Sequence, residues 1–159
     1  MAQDTSVTGR IGNKVIQKRL NLNMLIKNTH GTPEDCMLRI VVGRFWGAID
    51  ASTGVSIDDL VFDVNNILTF RDTNGRDATK FKVFFDKTYR CSVASDGHNQ
   101  KFIKLGWKLN NMMKFNNDTV GNVDDVITGR WYILTCSNAT IDGNSPYLQY
   151  TSKLTYIDL

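Results

Sequence analysis

Apolar residues recur at every second position over long stretches of this chain, and no run of ten or more residues carries them at helical spacing. From Ile16, the residues Leu20, Leu22, Met24 and Ile26 continue the even positions, while Gln17, Arg19, Asn21, Asn23 and Lys27 occupy odd ones. Lys18 breaks the even face and Leu25 the odd one. The segment "KFIKLGWKLNNMMKF" sets Ile103, Leu105, Trp107 and Leu109 against Lys104, Lys108 and Lys114, and "YLQYTSKLTYID" sets Leu148, Tyr150, Leu154 and Tyr156 against Gln149, Thr151, Lys153 and Thr155. In "FKVFFDKTYRC", Phe81, Val83 and Phe85 fall on one side and Lys82 and Phe84 on the other. Each of these reads as a half-buried strand. Two further segments, "CMLRIVVGRFWGAI" apart from Arg39 and Arg44, and "RWYILTCS", are apolar on both faces and read as more central strands.

Turn chemistry separates these segments: "HGTPED", Asn74-Gly75 and "VASDGHNQ" are turns, "NNDTVGNVDDVITG" is a loop, and residues 49–70 are a long loop with at most one helical turn after Ser56. A length of 159 residues suits one domain, read as residues 11–159 behind a loose polar tail over 1–10. At least six strands joined by loops too long for a meander give an all-β chain folded as a two-sheet sandwich.

The net charge of +3, from 19 Lys and Arg against 16 Asp and Glu, says less than the placement of those charges. Arg19 and Lys27, Lys82, Lys104 with Lys108 and Lys114, and Lys153 all lie opposite the apolar residues of their strands, whereas the Asp residues fall mostly in loops. If the strands near Ile16, Phe81, Phe102 and Tyr147 share one sheet, its solvent side is a basic floor dotted with Asn, Gln and Thr, which suits phosphates and no particular base. The ordinary alternative is a solvated sheet face whose lysines guard against aggregation.

Enzymatic chemistry has little to stand on. His30 and His98 sit in Gly-flanked turns away from any HExxH, CxxC or GxSxG spacing, and "GRIGNK" lacks the strand and the lysine-hydroxyl pair of a phosphate loop. Asp58-Asp59 and Asp124-Asp125 lack EF-hand spacing. Cys36, Cys91 and Cys136 read as reduced, buried, small hydrophobes. No catalytic residue, metal or cofactor is expected. No apolar run approaches the roughly 18 residues of a membrane span, so the expectation is a soluble chain with no membrane partner.

"TGRIGNKVIQKRLNLNMLI" at 8–26, "RIVVGRFWGAIDASTGVSIDDLV" at 39–61, "FKVFFDKTYRCSV" at 81–93, "GRWYILTCSNA" at 129–139 and the closing "YLQYTSKLTYID" resemble, in that order, the capsid proteins of small circular single-stranded DNA viruses, and are similar to satellite-virus coat proteins. The resemblance implies an eight-stranded jelly roll of two four-stranded antiparallel sheets, with first and last strands side by side. It also implies about 60 copies closed into an icosahedral T=1 shell around a nucleic-acid genome, assembled in the host cell and carried in the virion. Relatives open with an Arg/Lys-rich arm, whereas residues 1–10 hold one Arg. On this reading Arg10, Lys14, Arg19, Lys27, Lys82, Lys104, Lys108 and Lys153 line the lumen and touch the nucleic-acid backbone. A rival of another class is a jelly-roll carbohydrate-binding module, with Trp46, Trp131 or Tyr147 stacking on sugar rings. A cupin-type metalloenzyme needs a histidine cluster that two distant histidines do not provide.

Overall fold

The computed structural model describes residues 13–27, 35–46, 81–91, 100–115, 126–139 and 146–159. Seven strands run through them: β1 (Lys14–Lys27), β2 (Cys36–Phe45), β3 (Phe81–Cys91), β4 (Gln100–Phe115), β5 (Val126–Thr128), β6 (Arg130–Ser137) and β7 (Tyr147–Asp158). They form two antiparallel sheets, one of four strands in the order β5-β4-β1-β7 and one of three in the order β3-β2-β6. The fold is all-β, as the alternation requires. Two expectations change: Val126–Thr128, read as loop, pairs with Lys114 and Phe115 as a short strand, and the described sheets hold four and three strands. The tail over 1–10 and the long loop over 49–70 lie outside the described residues.

The sheets pack face to face through the oily side of each alternating strand. Leu22, Met24 and Ile26 of β1 and Ile103 of β4 meet Leu38, Ile40 and Val42 of β2 and Tyr89 and Cys91 of β3 in one buried cluster. An aromatic group extends it. The Phe84 ring lies 4.8 Å from Trp131 and 6.0 Å from Trp107, and the two indoles stack 6.0 Å apart at 22°. Such contacts add stability beyond the area they bury. β2 is buried on its other side too, where Val41 and Phe45 pack with Phe81, Leu134 and Cys136, so its sequence, apolar apart from Arg39 and Arg44, marks the centre of its sheet. All three cysteines are buried and none is in a disulfide.

Two bulges decide which residues face inward. In β1 the pairing shifts between Gln17 and Arg19 on both sides of the strand. One extra residue exchanges the faces of everything beyond it. Upstream of the shift the buried residues are Val15 and Gln17, and downstream they are Leu20, Leu22, Met24 and Ile26. Ile16 therefore departs from the sequence expectation: it pairs with Met112 and Ile157, both exposed, on the solvent side. In β3 the shift between Val42 and Gly43 leaves Phe84 as the extra residue. Phe81 and Val83 belong to the outer cluster while Phe85 packs on the inter-sheet core, so the three do not share a face.

Candidate nucleic-acid interface

Residues directly opposite each other in an antiparallel sheet project from the same side, so the register alone assembles a surface. On β1, Arg19 stands between Lys108 of β4 and Thr155 of β7, Asn21 between Gly106 and Lys153, Asn23 between Lys104 and Thr151, and Lys27 between Gln100 and Tyr147. Lys14 pairs with Lys114 at the far end. The bulge adds one more cation, because Lys18 reaches outward and donates from Nζ to Asn110 Oδ1 at 3.0 Å. Of the expected lining residues, Lys14, Arg19, Lys27, Lys104, Lys108 and Lys153 thus converge on the solvent face of the four-stranded sheet.

One does not join them. Lys82 lies on β3, opposite Arg44 in the other sheet, and its Nζ sits 5.3 Å from the Phe84 ring. Alternation assigns a strand its faces but not its neighbours, and β3 takes β2 as its partner, so the four strands expected to share a sheet are three. Arg10 lies outside the described residues.

What distinguishes this face is its lack of counter-charge. No Asp or Glu projects from the described part of it, and the one acid in its strands, Asp158, pairs with buried Val15 on the inward side. The three-stranded sheet is arranged otherwise. There Arg39 donates twice to the Asp86 carboxylate at 2.9 and 2.8 Å, which holds its guanidinium pKa above the ordinary value, and Arg90 meets Asp35 at 3.1 Å. On the basic face like charges oppose each other instead, Arg19 against Lys108 and Lys14 against Lys114. Each such pair costs on the order of half a kcal/mol until an anion arrives.

Between these cations the floor is polar at Asn21, Asn23, Thr151 and Thr155, with apolar side chains at Leu25 and Phe102 and at Ile16, Met112 and Ile157. Arg19 donates from Nε to Asn21 Oδ1 at 3.0 Å, and both side chains lie over bare backbone at Gly106, where an added Cβ would stand 3.2 Å from Asn21 Oδ1. That bond uses one of the guanidinium's five N–H donors on an exposed residue, which suits a phosphate. Exposed Phe102 projects from the same face, with Lys104 Nζ 5.3 Å from its ring.

Sequence reasoning missed Lys18 as a member of this face, and the signal was present: a lysine at an apolar position of an alternating strand marks a bulge. It also left Arg44 without a role. This arginine is fully buried, donates to Gly129 O at 3.2 Å and Met112 O at 2.5 Å, and lies 4.0 Å from the Trp46 ring. It ties the β2 end of one sheet to β4 of the other, and burial lowers its pKa to about 10. The aromatics named for sugar stacking do not gather: Trp131 is in the inter-sheet cluster with its Nε1 on Gln17 Oε1, Trp46 lies against Arg44, and Tyr147 is on the basic face. A scan against models of known protein families finds none that matches the chain, and a search of curated proteins finds no match.

Proposed function

We propose that this chain is the coat subunit of a small icosahedral virus, about 60 copies of which enclose a nucleic-acid genome. In this reading the solvent face of the four-stranded sheet is the lumenal wall and holds the backbone of single-stranded DNA. The carboxylate-free cationic face carries the reading. A surface of opposed like charges with no acid beside them is stabilised by a polyanion and by little else, and its Lys, Arg and Asn chemistry favours phosphates over base edges.

The strand order supports a jelly roll. β1 pairs with β7 and β2 with β6, the nested pairing of a long hairpin folded over on itself, and an eighth strand beside the three-stranded sheet would complete it. Such a protein needs no catalytic residue or cofactor, and its work is done in the virion.

The test is nucleic-acid content. Particles of the Arg19→Glu, Lys104→Glu, Lys108→Glu variant should keep the far-ultraviolet spectrum of a β protein and lose absorbance at 260 nm relative to 280 nm, since exposed sheet positions tolerate polar exchange. Unchanged absorbance in folded particles refutes the lumenal wall, and a chain that sediments only as a small species refutes the coat subunit.

A further inference from the structure

β7 is a twelve-residue edge strand with a sheet neighbour on one side only among the described residues. Natural edges of that length are usually blunted by proline, by bulges or by several charges, because an unpaired strand templates another. Between Tyr147 and Ile157 the only charge is Lys153, and there is no proline. The strand's large apolar side chains are also left partly uncovered. Tyr150, which points inward in register with Met24, is 57% exposed, and Tyr147 and Ile157 are 39% and 52% exposed.

We propose that two copies pair their β7 strands antiparallel about a two-fold axis at Ser152, joining the four-stranded sheets into one sheet of eight. The register follows from the sequence of the strand. An axis normal to the sheet keeps inward faces together, and this requires that paired residue numbers have an even sum. Centring on Ser152 sets Tyr150 against Leu154 on the inward side and Tyr147 against Ile157 on the outward side, each twice by symmetry, with Lys153 against Thr151 and Thr155 against Gln149. Every large apolar residue in these pairs meets another. Centring one residue later opposes Lys153 to itself, and centring one residue earlier sets Tyr150 against Ser152 and leaves Ile157 beyond the paired stretch. An odd sum would place the inward leucines of one copy beside the polar face of the other.

The pairing deepens the coat-subunit reading by assigning one contact between subunits, and it makes the cationic faces of two copies continuous. Cysteine cross-linking of the full chain tests it. In Ser152→Cys the two new thiols are directly opposite across the axis, within the roughly 7 Å between Cα atoms that a disulfide spans. In Thr155→Cys they are six residues apart along the strands, about 20 Å. Under mild air oxidation Ser152→Cys should run as a covalent dimer without reductant and as a monomer with it, while Thr155→Cys stays monomeric. A mixture of Tyr147→Cys and Ile157→Cys chains should cross-link with each other, which gives the same answer at separate positions. Adding Tyr150→Lys to Ser152→Cys should deplete the dimer. Monomer at both 152 and 155, or equal cross-linking at both, overturns the inference. Cross-linked dimers that never form particles uphold this contact and remove the shell, whereas particles without a cross-link at 152 uphold the shell and remove this contact.

Discussion

Gly43 and Gly106 are both strand glycines without side chains to pack, yet they serve opposite purposes. At Gly43 the Phe81 ring lies where a Cβ would be, so Gly43→Ala must displace a buried aromatic ring and should cost about 1–3 kcal/mol in denaturant unfolding. At Gly106 the nearest atoms are the ends of the Asn21 and Arg19 side chains on an exposed face, and Gly106→Ala should leave the unfolding midpoint almost unmoved. Equal losses in the two variants would contradict the placement of Phe81. Cys91 gives a pH signature. Burial, with Cys36 across the strand pair, raises its pKa from the ordinary 9.0 to about 11. The unfolded thiol loses its proton first, so the folded state's preference for the neutral form is fully felt below pH 9.0 and fades as pH rises toward about 11. Stability should therefore fall more steeply across that window in the parent chain than in Cys91→Val, measured as the difference in unfolding midpoint at each pH.

The bulge at Lys18 allows β1 to bury Val15 and Gln17 at one end and four even-numbered residues at the other. Deleting Lys18 forces one end to turn outward. The loss of Val15 burial and of the Trp131–Gln17 bond should cost about 2–4 kcal/mol, whereas Lys18→Ala keeps the residue count and should cost well under 1 kcal/mol. Comparable unfolding midpoints for the deletion and the alanine variant would mean that the bulge is not what sets the faces. The same irregularity explains how far the sequence could be read. Period-two alternation marked β1, β3, β4 and β7 as strands and assigned the inward residues of β4 and β7 correctly, because the faces of those two strands alternate without a break from end to end. It misassigned Ile16 and Phe85, each on the far side of one extra residue, since alternation carries no memory across a bulge. It also placed β3 beside the basic strands, although strand partnership depends on contacts distant in sequence. The cations on β1, β4 and β7 were legible as a face, but that Lys82 stands apart from them was not.

The two sheets divide the molecule electrostatically. The three-stranded sheet pairs two of its arginines with acids, Arg39 with Asp86 and Arg90 with Asp35, whereas among the described residues the outer face of the four-stranded sheet sets its cations beside no acid, so on the proposed reading that face is the stronger draw for a polyanion. Salt dependence reads that division out directly. Each phosphate neutralised releases condensed counterions, and for single-stranded nucleic acid the slope of log affinity against log salt changes by about 0.7 per contact. Lys104→Ala and Lys108→Ala should each flatten the slope for a single-stranded oligonucleotide by about that amount, and the pair should be nearly additive because the two lysines stand four residues apart on β4, about 13 Å along the strand. Lys82→Ala has the same change in net charge but alters the opposite sheet, so it should leave the slope where it was. A slope that flattens equally for all three would mean that net charge alone attracts the polyanion, and the asymmetry between the sheets would then have no part in binding.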